Sequence, residues 1–360
     1  MHKLVLLVTG VLFLACASPP AGPSPAPSTA AAPAAAGAAA VASETPSRRV
    51  EASAPRPLVR VPMAYSVLGG DPLPIWIAKE QGLFERYGID PDLTYIGGST
   101  RIVEAIIAGE IRLAQVGGAA VVNASLGGAD VVLIGSLVPV FVASLFSQPE
   151  ITSVQELRGK SIAVTAIGTT TDFAGRTVLK RAGLEPLRDV AVIQSGGVPE
   201  TFSALLSGGV QAGVMVPPVT LQARAAGLRE LVDLAAEGIR FEQAPLATTR
   251  RFVQEAPDVV RGYLRAVVEG IALAKRDRPL AKRVLSQYTK NEDEAVLEET
   301  YRLFVEDAFQ RVPYVTTEGL QTVLDLIDNP LARQARPEQF IDHRFLQELE
   351  ASGFVQRLYE

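Results

Sequence analysis

The stretch SIAVTAIGTTTDFAGRTVLKRAGL, residues 161–184, decides the fold class of this chain. It starts with a short apolar run that is typical of a buried strand. Residues 169–183 then show the apolar spacing of a helix that ends at a glycine. A turn rich in glycine and threonine joins the two. Strand, polar turn and helix in this order predict one unit of a parallel α/β sheet.

The same order of elements recurs on both sides of this stretch. The strand candidates are VRVPMAYS, DLTYI, LAQV, VVLIGS and FVASLF upstream, and VAVIQ and AGVMV downstream. After about Thr248 the strands stop, and apolar spacing of three and four continues toward the C-terminus. We therefore predict an α/β fold with two doubly wound lobes and a helical C-terminal tail that packs on the first α/β block.

The N-terminal segment is predicted to be a processing signal. Residues 4–14 form an apolar run that is too short to span a bilayer, which needs about 20 residues, and Cys16, the only cysteine, follows closely. This arrangement resembles a bacterial lipoprotein signal. We therefore expect the signal peptide, residues 1–15, to be removed and Cys16 to carry palmitate or another acyl chain. An ordinary signal cut near Ala15 or Ala17 is the alternative.

Residues 16–56 are expected to form a disordered, lipidated tether. Alanine, proline, serine and glycine dominate this segment, and such a composition buries too little apolar surface to offset the entropy of ordering. The predicted location is outside the cytoplasm, in the periplasm or on the cell surface. There the chain would be attached to the lipid bilayer through acylated Cys16.

The composition excludes several functions. With 34 basic and 39 acidic residues, a net charge of -5 and 6% aromatic residues, binding of nucleic acid is not expected. After removal of the signal only His343 remains as a histidine base, and the patterns HExxH, CxxC and GxxxxGK[ST] are absent from the sequence. We therefore predict no catalysis, no metal and no cofactor.

Four segments, taken in order, carry a family resemblance. They are PIWIAKEQGLFERYGIDPDL (74–93), GGSTRIVEAIIAGEIRLAQVGGAAVV (97–122), ELRGKSIAVTAIGTTTDFAGRTVLKRAGL (156–184) and ALLSGGVQAGVMVPPVTLQARAAG (204–227). Together they resemble the ABC-transporter solute-binding proteins of the nitrate, sulfonate, taurine and thiamine-pyrimidine family (NMT1-like, SsuA-like), in lipoprotein form.

The resemblance implies a type II periplasmic-binding-protein fold, in which two α/β lobes are joined by a hinge of two crossing segments. The crossings are expected near residues 146–152 and 243–249. Lobe one would then comprise residues 57–147 plus 249–360, and lobe two residues 148–248. A small-molecule ligand would bind in the cleft between the lobes, and an ABC permease in the membrane would recognise the closed form.

In doubly wound lobes, ligands bind at the carboxyl ends of strands and the N-termini of the following helices. Free N–H groups at such helix starts favour carboxylate, sulfonate or phosphate. We expect several such corners of this chain to converge on one cleft. The predicted ligand-binding residues are Ser66, Trp76, Gly98, Ser99, Gly118, Ala119, Ser136, Thr169, Thr170, Thr171, Gly197, Glu200 and Pro217.

Structural interpretations of these residues stay open. A serine or threonine before a helix also acts as a cap, and paired glycines also serve tight turns. Trp76 fits the core as well as a cleft wall, and Glu200 fits either a ligand amine or hydroxyl or the cap of its own helix. The family often has an acidic residue where Val216 stands here. That difference indicates a fairly apolar or small polar ligand.

The sequence therefore predicts a monomeric, extracytoplasmic, lipid-anchored solute-binding protein. It would capture a small molecule between its lobes and deliver it to an ABC permease. A small-molecule sensor for a membrane receptor is the main alternative. An enzyme of the same fold is less favoured, because the enzymes of that kind are cytoplasmic and this chain carries an export signal.

Overall fold

A computed structural model describes residues 57–360. The predicted signal peptide, the lipidation site Cys16 and the predicted tether lie outside the described residues. Between residues 57 and 360, no helix has the length and apolar character that crossing a membrane requires.

The strands of the described part fall into two sheets of five strands each. In chain order they are β1 (Val59–Tyr65), β2 (Ile89–Tyr95), β3 (Leu113–Gln115), β4 (Val131–Ser136), β5 (Ser144–Ser147), β6 (Ser161–Val164), β7 (Ala191–Gln194), β8 (Ala212–Met215), β9 (Arg229–Asp233) and β10 (Pro245–Thr249).

Helices connect these strands and continue alone after β10. They are α1 (Leu73–Glu80), α2 (Leu83–Arg86), α3 (Ser99–Ala108), α4 (Gly118–Leu126), α5 (Thr170–Arg181), α6 (Val198–Leu206), α7 (Val219–Ala225), α8 (Arg250–Glu255), α9 (Pro257–Arg276), α10 (Arg278–Thr289), α11 (Glu294–Tyr301), α12 (Thr317–Leu326), α13 (Arg344–Ala351) and α14 (Phe354–Arg357). A π-helical segment, Arg302–Ala308, extends α11.

The two sheets have the same plan. The first sheet has the order β2-β1-β3-β10-β4 and the second the order β7-β6-β8-β5-β9. In the first sheet, β1 pairs in parallel with β2 and β3. In the second, β6 pairs in parallel with β7 and β8. The predicted α/β fold with two sheets and a helical C-terminal region is therefore confirmed.

The sheets are mixed, however, and not parallel throughout. Strand β10 runs antiparallel between β3 and β4, and strand β5 runs antiparallel between β8 and β9. Each of these strands follows a passage of the chain from one sheet to the other. An antiparallel strand needs no helical crossover, so the chain can enter the new sheet directly.

The two crossings lie earlier in the chain than predicted. Residues 137–143 lead from β4 to β5, and residues 234–244 lead from β9 to β10. The predicted crossings at 146–152 and 243–249 and the predicted lobe boundaries therefore need correction. The reason is that β5 pairs with the second sheet, whereas β10 pairs with the first.

The C-terminal helices cover both faces of the first sheet. Side chains alternate along a strand, so Val132 and Ile134 of β4 face one hydrophobic cluster, whereas Val131 and Leu133 face another. Helices α9 and α10 pack with α1 in the first cluster, and α12 packs with α3 and α4 in the second.

The α9–α1 contact requires a glycine. A Cβ atom on Gly270 would lie 2.2 Å from the carbonyl oxygen of Pro74. Only a residue without a side chain allows the two backbones to come this close. The close contact fixes α1, and with it the loop after β1, against the long helix α9.

Candidate ligand-binding cleft

Three of the helix starts meet between the two sheets. A Cβ atom built on Gly117, which precedes α4, would lie 3.1 Å from Ser99 Oγ and 3.2 Å from Thr170 Oγ1. Ser99 begins α3 beside the first sheet, and Thr170 begins α5 beside the second. The Gly117 N–H also donates a hydrogen bond to Ser99 Oγ over 2.8 Å. The predicted residues Ser99 and Thr170 are therefore brought together across the cleft.

The neighbouring threonines, Thr169 and Thr171, form hydrogen bonds within the turn before α5. Thr171 is buried, and its Oγ1 accepts a hydrogen bond from the Thr165 N–H over 2.9 Å. Thr169 Oγ1 donates to the Ala166 carbonyl over 2.6 Å. For Thr170 Oγ1, by contrast, residues 57–360 supply no hydrogen-bond partner. Of the three predicted hydroxyls, Thr170 is thus the one left to face the cleft.

A glutamine at the end of β3 completes the first-sheet side. Gln115 Oε1 accepts from the Ser66 N–H over 3.2 Å and lies 3.4 Å from Ser66 Oγ. The parallel pairing of β1 and β3 places Tyr65 beside Gln115, so Ser66 comes next to this amide. Gln115 was missed in the sequence analysis. A polar residue at the carboxyl end of a buried strand is the signal that could have found it.

Glu200 stands at the start of α6 beside the second sheet, on the far side of the cleft from Tyr95. Glu200 is exposed, and its carboxylate folds over Gly197, since a Cβ atom there would lie 2.2 Å from Glu200 Oε2. Tyr95 ends β2 with 45% of its surface exposed. Burial and, as the smaller cause, the charge of Glu200 raise the pKa of Tyr95. The predicted Gly98 lies in the same turn as Tyr95, with a φ of 94°.

Trp76 is a core residue and not a wall of the cleft. It is fully buried, stacks on Tyr288 with ring centroids 4.5 Å apart and meets Tyr65 edge-on at 5.5 Å. Tyr65 in turn lies 5.6 Å from Tyr95. The indole therefore supports the cleft through Tyr65, because α1 packs inside the first hydrophobic cluster.

Gly118, Ala119 and Ser136 are also buried, and Gly118 packs against the second crossing. The Gly118 N–H donates to the Glu242 carbonyl over 2.9 Å, and a Cβ atom on Gly118 would lie 2.7 Å from Glu242 Cβ. The Ser136 N–H donates to the Pro313 carbonyl over 2.7 Å. Gly118 and Ser136 thus make structural backbone contacts, and their predicted role in ligand binding, like that of Ala119, stays a prediction.

Two buried carboxyl groups were missed in the sequence analysis. Glu242 Oε1 accepts from the Thr316 N–H over 2.8 Å and from Thr316 Oγ1 over 2.6 Å, and burial raises the pKa of Glu242 to about 7. Asp71 Oδ1 accepts from Gln243 Nε2 over 2.7 Å, and burial raises the pKa of Asp71 to about 6. Glu242 belongs to the second crossing and Asp71 contacts it through Gln243. Local sequence gives no sign that this segment is buried.

Pro217 connects the loops that follow β8 and β1. Its carbonyl oxygen would lie 3.1 Å from a Cβ atom on Gly69, and the Pro217–Pro218 peptide bond is cis. The second-sheet loop is thus in contact with the first-sheet loop that leads to Asp71. Pro217 itself is buried, and its backbone carbonyl makes the contact between the two loops.

Solved structures share this fold. A protein from Bordetella bronchiseptica RB50 superposes with a TM-score of 0.72 at 18% identity, over 81% of this chain and 97% of that one. The nitrate-binding protein NrtA from Synechocystis PCC 6803 superposes with a TM-score of 0.67 at 14% identity, over 84% of this chain and 91% of that one. The alkanesulfonate-binding protein SsuA from Xanthomonas axonopodis pv. citri, bound to MOPS, superposes with a TM-score of 0.63 at 20% identity, over 75% of this chain and 93% of that one. The fold is therefore that of periplasmic binding proteins.

Sequence comparisons identify the family. Curated relatives from Brucella abortus, Brucella suis and Brucella melitensis, which their names describe provisionally as binding proteins, are 32% identical over 200 residues. The match spans 54% of this chain and 60% of the length of the relatives. The model of the NMT1/THI5-like family matches residues 71–279, more than half of the chain. The chain therefore belongs to the NMT1/THI5-like family, as its sequence motifs predicted.

Proposed function

We propose that this protein is an extracytoplasmic, lipid-anchored solute-binding protein that captures a small molecule between its two sheets and delivers it to an ABC permease. The observation that carries the proposal is the meeting of Ser99, Gly117 and Thr170. Helix starts from both sheets converge there, and strand ends and helix starts are where doubly wound folds bind ligands.

The chain path supports a hinged capture mechanism. Within residues 57–360, only the segments 137–143 and 234–244 lead the chain from one sheet to the other. The segments are hydrogen-bonded to each other, since the Gln243 N–H donates to the Val138 carbonyl and Gln243 Oε1 accepts from the Val142 N–H. A paired double crossing permits the sheets to rotate as rigid bodies about it. Ligand bound to both sides would stabilise the closed form that a permease recognises.

The lipid anchor belongs to the same proposal. An acyl chain contributes about 0.8 kcal/mol per buried CH2, and more than one chain is needed for lasting attachment. A lipid on Cys16 would keep the protein at the membrane that holds its permease. Binding without chemistry is proposed because the cleft brings together hydroxyls, amides and glycines and lacks an activated nucleophile among the residues described.

Binding in the cleft can be tested by thermal shift. The screen uses nitrate, bicarbonate, sulfonates, aromatic carboxylates and pyrimidines, and a ligand at 100 times its Kd stabilises the fold by about 2.7 kcal/mol. Thr170→Val should remove the shift. Thr322→Val is the matched control, because Thr322 is, like Thr170, a half-buried residue, and its Oγ1 donates to the Glu318 carbonyl within α12. An unchanged shift in Thr170→Val would contradict the proposed site, and turnover of a bound compound would contradict binding without catalysis.

A further inference from the structure

The turns that border the cleft carry more acidic than basic residues. These cleft turns are residues 65–72, 95–101, 115–118, 165–172, 194–200 and 215–218, and exposed Arg101 is the one lysine, arginine or histidine among them. They do include three acidic residues, namely Asp71, Asp172 and Glu200. The charge that the cleft turns carry is therefore negative.

Two of these three carboxyl groups are already bound within the protein. Asp71 is buried and accepts from Gln243. Asp172 is buried and forms an ion pair with Arg176 at 2.8 Å. Glu200 is exposed, and it has neither an ion pair nor a hydrogen bond to any residue from 57 to 360. Glu200 is thus the carboxylate that remains available to a ligand.

The helix starts, which would otherwise attract an anion, are partly occupied by the protein's own acceptors. The N–H groups of Gly117 and Gly118 donate to Ser99 Oγ and to the Glu242 carbonyl. The Gly168 N–H donates to Asp172 Oδ2 over 3.0 Å. At α6 the Glu200 carboxylate itself covers the helix start. An oxyanion would find these donors engaged and an acidic side chain beside them.

The turn that leads to Glu200 lies beside the turn that carries Thr170. The Gly196 N–H donates to the Thr165 carbonyl over 2.9 Å, so the turn before α6 lies next to the turn before α5. That second turn carries Thr170, which meets Ser99 of the first-sheet side. The effect of Glu200 on the pKa of Tyr95 agrees with this arrangement.

We propose that the cleft selects a neutral or cationic small molecule that bears N–H donors, that it rejects oxyanions, and that Glu200 determines this specificity by accepting the ligand's N–H groups. This inference rests on the proposed solute-binding function. Gln115, Ser99 and Thr170 add polar groups that suit an uncharged polar ligand, and a hydrogen bond to an ionised acceptor is the stronger kind.

The experiment is equilibrium dialysis of the protein against a library of small compounds in matched pairs. Each pair has one oxyanion and one isosteric donor, such as benzoate with benzamidine, nitrate with urea, and methanesulfonate with methanesulfonamide. We expect enrichment of the donor members, and loss of that enrichment in Thr170→Val. Enrichment of the oxyanions that Thr170→Val abolishes would overturn the ligand class and leave the proposed function standing. No enrichment, or enrichment that Thr170→Val leaves intact, would overturn both.

The role of Glu200 is tested separately. Glu200→Gln keeps the size of the side chain and an oxygen acceptor but removes the charge. We expect the Kd of an amidinium compound to rise by about tenfold and that of the matching neutral amide to rise much less, because only the amidinium loses the attraction between two opposite charges as well as a hydrogen bond to an ionised acceptor. Glu237→Gln is the control, since Glu237 is an exposed residue paired with Arg181 away from the cleft turns. Equal effects on both compounds would show that Glu200 does not determine specificity.

Discussion

Gln243 Nε2 donates a 2.7 Å hydrogen bond to Asp71 Oδ1, and both side chains are buried. Gln243 Oε1 accepts in turn from the Val142 N–H over 2.7 Å. One glutamine in the second crossing therefore joins the first crossing to the loop between β1 and α1. This network connects the first-sheet border of the cleft with both segments about which the sheets would turn.

Replacing Gln243 by leucine should be severely destabilising. The change leaves the Val142 N–H and the Asp71 carboxyl buried without partners, and the expected loss in the free energy of unfolding is about 3 kcal/mol. Asp71→Asn should cost less than about 1 kcal/mol at neutral pH, because Asn keeps an acceptor for Gln243 and carries no buried charge. Urea denaturation at pH 7 measures both. Equal losses in the two variants would contradict the network.

Glu242 should make the stability of the fold depend on pH. Burial raises the pKa of Glu242 from 4.5 to about 7. The folded state thus holds a proton that the unfolded state releases. The stability from this group is fully present below pH 4.5 and is lost as the pH rises through about 7.

Glu242→Gln should remove this dependence. Between about pH 4.5 and 8, the wild-type protein should lose roughly 1–3 kcal/mol of unfolding free energy more than the variant does. Denaturant titrations across that range measure the difference. Parallel pH profiles for the two proteins would show that folding does not raise the pKa of Glu242.

Substitution of Thr171 should reduce the stability of the fold far more than substitution of its neighbour Thr170. Thr171→Val leaves the half-buried Thr165 N–H without its acceptor, which costs about 1–3 kcal/mol. Thr170→Val breaks no hydrogen bond found in residues 57–360 and should change stability by less than about 0.5 kcal/mol. Thermal unfolding without ligand measures both. A greater loss in Thr170→Val would assign that hydroxyl a structural role.

Cys16→Ser should release the protein from membranes or block its maturation, because serine cannot carry the acyl chain that the predicted signal requires. Fractionation of cells into membrane and soluble parts, with the unchanged chain as control, measures the effect. A variant that stays as firmly in the membrane fraction as the parent would contradict the lipid anchor.

Local sequence predicted the repeating units well. The stretch at residues 161–184 contains β6 and α5, because apolar spacing and turn residues act over a few positions. Membership of a sheet was harder to predict. Strands β5 and β10 are short and almost entirely buried, and their composition does not distinguish the sheets. Only their pairing shows that β5 belongs to the second sheet and β10 to the first sheet.

The site residues show the same limit of prediction from local sequence. Ser99 and Thr170 stand at helix starts, which local sequence reveals, and the structure brings them together. Trp76, Gly118 and Ser136 also stand near such starts or strand ends, but the C-terminal helices and the second crossing cover them. Their burial depends on partners more than a hundred positions away, and no local pattern reports such partners.

The position of β10 also constrains the order in which the molecule can form. The second sheet is built from one continuous stretch of chain, whereas the first keeps a gap between β3 and β4 until residues 245–249 arrive. Synthesis proceeds from the N-terminus, and pairing between distant segments is slow. The first sheet, whose first four strands leave the ribosome before any strand of the second sheet, is consequently the sheet that is completed last.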